Sequence, residues 1–225
     1  GYTPRSATSP IAKLNVVVSD LSGSTAVAAR GTTFTTTVDG VSYNYIVKDD
    51  TTITPESGVY TFSELPVYEG TLVNNKFTVD TTNADQRFLI ENPLADTTTL
   101  QVTVQNSSTD STTTTYTKST DLADVTSTST VYYLEGVEDE KYEVIFGDGV
   151  LGKAVSTGNI VTLSYIVTSG ADSNGASSFS LSGTIAGSST ATITTASNSS
   201  GGADPETPDS IRFNAPRQFA SQNRA

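Results

Sequence analysis

The chain contains no cysteine and no histidine among its 225 residues, and no tryptophan or methionine either. Without cysteine no disulfide can staple the fold, which argues against a small secreted disulfide scaffold. Without histidine the usual general base, the Ser-His-Asp and Cys-His arrangements and the commonest zinc ligand all disappear together. Most enzyme classes fall with them. Positive charge is scarce too: 12 Lys and Arg face 24 Asp and Glu, and the net charge of −12 disfavours nucleic acid or anionic lipid as the main partner. No apolar run approaches the roughly 20 residues that a membrane-spanning helix needs. The chain starts at Gly1 without an initiator methionine or a signal peptide and stops inside a helix pattern, so we expect a fragment of a longer protein.

What is present is β-forming. Hydrophobic residues are only 35%, and the shortfall is filled by Thr and Ser rather than by charge. Threonine is β-branched and suits strands, so the composition is that of a β protein with polar outward faces. A chain of this length can bury a core, as one large domain or two small ones.

The strongest pattern lies between Lys141 and Gly175. Tyr142, Val144 and Phe146 alternate with Glu143 and Ile145, the period of two of a sheet. Gly147-Asp148-Gly149 ends that strand, because glycine adopts positive φ freely and Asp-Gly is a preferred turn pair. A second alternating run spans Ile160 to Thr168, and Gly170 with Asp172-Ser173-Asn174-Gly175 closes it. Earlier in the chain Arg30-Gly31 and Asp39-Gly40 read as turns, the latter as a tight hairpin. Pro66 should limit the strand before it, and Asn74-Asn75 should turn the chain. Gln105 to Thr115 reads as either a long exposed hairpin tip or a mobile loop, and Ser178–Ile185 and Thr190–Thr195 as strands paired about Ala186-Gly187-Ser188. Ser197 to Ala203 reads as a flexible hinge before a helix that Asp204 caps, with Pro205 in its first turn and a break or a second start at Pro216.

The expected architecture is therefore mainly β, with antiparallel sheets in one or two subdomains and a short C-terminal α-helix. One β domain would comprise residues 1–85 and 157–200, a second β subdomain, 86–156, would be inserted in it, and 201–225 would form the Gly-rich hinge and the start of a helical segment.

Candidate chemistry is sparse. The run Gly147 to Gly152 lacks the following helix that a dinucleotide loop requires. Asp172, Asn174 and Gly175 lack the further oxygen ligands of a calcium loop. Glu135, Glu138, Asp139, Glu140 and Glu143 could supply a carboxylate pair for glycoside hydrolysis, but such a charge run reads as a solvated turn, and no Trp offers a sugar platform. Tyr43, Tyr45, Tyr132 and Tyr133 read as core and cross-strand residues. No catalytic, cofactor or metal site is expected.

The stretch Phe146 to Ala176, FGDGVLGKAVSTGNIVTLSYIVTSGADSNGA, resembles the baseplate wedge proteins of contractile-tailed phages and the related baseplate J-like family. Three further segments agree: Gly1-Tyr2-Thr3-Pro4 with the strand after it, Ala29-Arg30-Gly31-Thr32-Thr33-Phe34, and Gly201 to Arg212 followed by Asn214-Ala215-Pro216-Arg217. Thr81 to Glu140 carries no such motif. Specificity lies in the ordered set rather than in FGDG alone. The resemblance implies the middle portion of a structural wedge subunit, without enzyme activity, that builds an inner ring with copies of itself and with other wedge proteins. It places the protein in the tail baseplate of the virion, assembled in the host cytoplasm, with no nucleic acid or membrane as partner. The segment Asp204, Pro205, Glu206, Ile211, Arg212, Phe213 and Phe219 is the candidate interface, with the turns Arg30, Gly31, Asp39, Gly40, Gly147, Asp148, Gly149, Gly152, Gly170, Asn174 and Gly175 as structural elements. The alternative is a Thr-rich β-sandwich module of a surface adhesin, binding glycan or protein at a loop tip such as 105–115.

Overall fold

A computed structural model describes residues 2–121 and 123–222, without the side chains of 218–222. In chain order the first strands are β1 (Ile11–Val18), β2 (Ala26–Ala28), β3 (Thr33–Val38), β4 (Val41–Val47), β5 (Thr51–Ile53), β6 (Tyr60–Glu69) and β7 (Thr71–Thr78). Then come β8 (Phe88–Ile90), β9 (Ala95–Gln105), β10 (Thr113–Lys118), β11 (Val131–Gly136), β12 (Tyr142–Phe146) and β13 (Ile160–Val167). The series closes with β14 (Ser180–Leu181), β15 (Ala191–Ser200) and helix α1 (Pro208–Gln222). The fold is mainly β with one short C-terminal helix, as the composition predicts.

The strands fall into two compact units. One comprises Gly1–Ser6, Val73–Tyr165 and Pro205–Ala225; the other comprises Ala7–Leu72 and Ile166–Asp204. The stretch 86–156 lies inside the first, while 201–204 goes with the second and 205 onward with the first.

In the unit of Ala7–Leu72 and Ile166–Asp204, a six-stranded sheet runs in the order β14-β3-β4-β6-β1-β15. Its inward residues, Leu14, Val16, Phe34, Tyr45, Phe62 and Leu65, are almost wholly buried. Burying each large apolar side chain of this kind contributes about 1.5–3 kcal/mol. The Asp39-Gly40 turn joins β3 to β4 with both residues at positive φ, 51° and 83°, the type I′ geometry whose twist matches the strands. β6 passes through Pro66 and continues to Glu69, so the proline does not end it. Two features accommodate it: Glu64 sits at φ 50° beside a register shift against β1, and β4 pairs only from Val67 onward. β14 and β15 are not partners; β14 pairs with β3, and β15 with β1, while Ile185 and Ser188 close the tight turn between them.

The other unit is built on a seven-stranded sheet, β7-β13-β9-β10-β11-β12-β8, in which β9 with β10, β11 with β12 and β12 with β8 pair antiparallel, while β10 runs parallel to β11. Asn74 and Asn75 lie within β7 instead of turning it, and Asn75 donates to the Tyr165 hydroxyl at 3.1 Å. Phe77, Phe88, Phe146 and Tyr116 form a row of edge-on rings with centroids 5.2–5.6 Å apart, of which Tyr116 is buried and the others half-buried. The 105–115 stretch is a hairpin tip closed by Asn106 donating to the Thr112 carbonyl at 3.0 Å.

Candidate functional site

Helix α1 begins later than the sequence predicts. Thr207 is its cap: the Thr207 Oγ1 accepts from Ser210 N at 3.3 Å and its carbonyl from Ile211 N at 3.0 Å. Pro208 then occupies the first helical position, where its missing N–H costs nothing, and Asp209 lies in the first turn. Asp204 caps nothing. It serves the other unit, where Oδ1 accepts from Ala171 N at 3.3 Å beside Gly170. Pro216 lies inside the helix without ending it.

Glu206 is the best-connected residue of the predicted interface segment. It is buried, and its Oε2 accepts from the Tyr2 hydroxyl at 2.6 Å and Arg5 N at 3.1 Å. Its Oε1 accepts from the Ser210 hydroxyl at 2.7 Å and Asn214 Nδ2 at 2.9 Å. Its own N–H donates to the Arg5 carbonyl at 2.9 Å. Residues 2–5 and the first two turns of α1 thus meet on one carboxylate. The Tyr2 hydrogen bond is the largest influence on it; with those from Asn214, Ser210 and Arg5 it outweighs burial and holds the carboxyl at about 2, well below its ordinary 4.5.

Of the candidate interface residues on α1, Arg212 and Phe213 are exposed. Phe213 is 59% exposed, with the Arg217 guanidinium 3.7 Å from its ring centroid. Arg212 is exposed and reaches Asp209 at 3.4 Å, while Ile211 and Pro205 are half-buried. Phe219 is helical, and its side chain lies outside the described residues.

The turn around Asn174 in the other unit is clamped. β15 runs on to Ser200, through residues expected as hinge, and Gly201 to Asp204 are held beyond it. Asn174 Nδ2 donates to the Gly202 carbonyl and Gly202 N donates to Asn174 Oδ1, both at 3.0 Å. Gly175 N donates to the Ser199 carbonyl at 2.8 Å, and Ser199 Oγ donates to the Ser173 carbonyl at 2.6 Å. The buried Tyr45 hydroxyl donates to the same carbonyl at 2.9 Å. The glycines here allow contact that a side chain would block. A Cβ on Gly170 would stand 2.2 Å from Asp204 Oδ1, and one on Gly202 would stand 2.3 Å from Pro10 Cγ.

The FGDG loop closes on itself. Asp148 Oδ1 accepts from Val150 N and Leu151 N at 2.9 Å, and Gly149 N donates to the Gly152 carbonyl at 3.0 Å. A Cβ on Gly147 would come within 2.3 Å of the Gly152 backbone. Gly152 N and Lys153 N then donate to the carbonyls of Thr126 and Ser129. The tip presents Val150 and Leu151 to solvent, 71% and 44% exposed. The Arg30-Gly31 turn is braced in the same manner: Arg30 Nη1 donates to the Lys48 carbonyl, Arg30 N to Asp50 Oδ1 at 2.6 Å, and Gly31 N to the Val47 carbonyl at 2.8 Å.

The sequence reading missed Glu69. Its carboxylate is buried and accepts from the Thr168 hydroxyl at 2.5 Å, Ser169 N at 2.8 Å and the Ser169 hydroxyl at 3.0 Å. The available signal is its phase, since Glu69 falls in step with the inward Leu65 and Val67 of β6. Tyr2 and Ser199 take their roles from partners 204 and 26 residues away, while the partners of Asn214, Glu206 and Ser210, lie within 8 residues of it.

Of the acidic cluster, Glu143 is held by Arg87 through two bonds of 2.5 and 3.1 Å, and Asp139 and Glu140 form the positive-φ turn between β11 and β12. Among the described residues no group of three acidic side chains is placed to hold a metal ion. No helix among them is long and apolar enough to cross a membrane.

Residues 72–170 match the family described as "Bacteriophage baseplate wedge protein gp6, third domain". This span contains the whole inner stretch Val73–Tyr165 of the first unit, including 81–140, where we identify no motif. It also contains the FGDG loop. No curated protein matches the chain. The match supports a phage baseplate wedge protein with a structural role, and the adhesin alternative gains nothing from it.

Proposed function

We propose that the chain is the middle portion of a baseplate wedge subunit of the J-like kind, which joins copies of itself and other wedge proteins into the inner ring of a contractile phage tail. The family match over residues 72–170 carries this reading. The role is one of contacts, without catalysis, at the tail baseplate of a virion assembled in the host cytoplasm. Neither nucleic acid nor membrane is a partner, in keeping with the net charge of −12.

The contact-making segment is Asp204, Pro205, Glu206, Ile211, Arg212, Phe213 and Phe219, with Phe213 as its exposed apolar residue. What supports this is the exposure of Phe213 on a helix whose first turns are anchored through Glu206. The exposed Val150 and Leu151, on a loop braced from both sides, offer a second contact.

The test is the mass in solution of the full-length protein, alone and mixed with neighbouring wedge subunits, by light scattering. A defined self-oligomer or mixed complex is expected. Ile211→Asp and Phe213→Asp should weaken it, and assembly unchanged by both would remove the helix from the interface. A strict monomer indifferent to those subunits would overturn the reading as a whole.

A further inference from the structure

We propose that Asn174-Gly175 is a masked self-modification site, an asparagine poised to deamidate whenever the segment after β15 leaves it. Asn174-Gly175 is the one Asn-Gly step in the sequence. Such a step is the most reactive setting for asparagine. The glycine carries no side chain to hinder its own backbone nitrogen, and its free φ lets that nitrogen reach the preceding carboxamide. The Gly175 nitrogen, giving up its proton, attacks Cγ of Asn174. An N–Cγ bond forms, the Cγ–Nδ2 bond breaks, and the nitrogen leaves as ammonia with that proton. Water then opens the resulting five-membered imide at either carbonyl, leaving aspartate or isoaspartate at position 174.

Every atom this step must move is held in the folded chain. The attacking nitrogen donates to the Ser199 carbonyl at 2.8 Å. The carboxamide under attack is fixed at both ends, Nδ2 and Oδ1, by the backbone of Gly202 at 3.0 Å. The Asn174 N–H donates to the Ala171 carbonyl at 3.1 Å, which restrains the residue's own backbone. The segment carrying Ser199 and Gly202 is itself tightly seated, since a Cβ on Gly202 would stand 2.3 Å from Pro10 Cγ and 2.5 Å from the Gly170 carbonyl oxygen. Reaction therefore requires residues 199–202 to come away first.

The product cannot restore what opened. A carboxylate replaces the Nδ2 donor and would face the Gly202 carbonyl, oxygen against oxygen. Isoaspartate also adds a methylene to the backbone of a turn held by four hydrogen bonds. One opening long enough for the reaction is thus recorded permanently in the chain.

The experiment incubates the full chain at mildly alkaline pH, folded and in urea, and quantifies aspartate and isoaspartate at position 174 by peptide mass spectrometry. Modification in the folded chain is expected to be slower by roughly tenfold or more, the factor set by how seldom the segment opens. Gly202→Val, which cannot seat beside Pro10, should bring the rate near that of the denatured chain while far-UV circular dichroism keeps its β signature. Equal rates in folded and denatured wild type would overturn the proposal, and so would an unchanged rate in a folded Gly202→Val chain. If Gly202→Val does not fold, hydrogen exchange at the Gly175 amide of the wild type decides: protection matching the slowing of modification supports masking, and an unprotected amide overturns it.

Discussion

The Asn174 carboxamide meets the Gly202 backbone as one strand meets another, donating to its carbonyl and accepting from its N–H at 3.0 Å each. A side chain here does the work of a peptide group. It joins the turn after β13 to the segment after β15, two places that the sequence shows only as separate glycine-rich stretches.

Asn174→Ala removes both bonds and leaves the Gly202 groups to find water. The expected loss is about 1–2 kcal/mol, a drop of about 2–4 °C in Tm for each kcal/mol in a chain of this size. Thermal unfolding followed by circular dichroism checks this, and a Tm equal to wild type would mean that the pair contributes nothing net.

Tyr45→Phe isolates one buried hydroxyl. The ring is fully buried and stands edge-on to Phe179 at 5.0 Å, so the packing survives. Only the bonds to Ser173 are lost. A urea denaturation series should show about 1 kcal/mol of destabilisation with an unchanged m-value.

Two glycines of one loop should respond differently. Gly147→Ala forces a methyl to within 2.3 Å of the Gly152 backbone and should cost about 2–3 kcal/mol. Gly149 has φ +86° but open space around it, so Gly149→Ala meets only the left-handed penalty of about 1 kcal/mol. Urea midpoints of the two variants, side by side, test the ordering, and equal losses would contradict the loop geometry.

Glu206 gives stability a pH signature. Its folded-state value of about 2 lies below the ordinary 4.5, so the protonated carboxyl is the disfavoured form in the folded chain. Stability from this group is complete above about 4.5 and is lost as pH falls through 2. Glu206→Gln should lower Tm at pH 7 and lessen its fall between pH 5 and 2. Parallel wild-type and variant curves over that range would show that Glu206 plays no part in acid unfolding.

Local chemistry is what the sequence discloses best. The β3–β4 hairpin is legible because Asp39-Gly40 and the flanking alternation act within a few residues. β12 and β13 are legible for the same reason. Pairings such as β1 with β15 are not, because about 180 residues separate the partners and their register rests on burial that no window reveals. The Ser-rich stretch 197–200 reads as hinge until Ser199 is seen buried among Ser173 and Ala176. The helix start shows a subtler limit. Asp204-Pro205 and Thr207-Pro208 obey the same capping grammar, and the choice between them is made by Gly170, whose missing side chain leaves room for the Asp204 carboxylate. Of the interface segment, the motif marks the place of Glu206 but not its partners, since Tyr2 is 204 residues away.

That separation also sets an order of events during synthesis. Tyr2 and Arg5 leave the ribosome long before the carboxylate they bind, and at about 5–20 residues per second they wait roughly 10–40 seconds for it. Until then Tyr2 and Arg5 lack their partner, whatever the strands between have already formed. The Tyr2–Glu206 bond is therefore a closing step, and it marks the chain as having been read through to its helix.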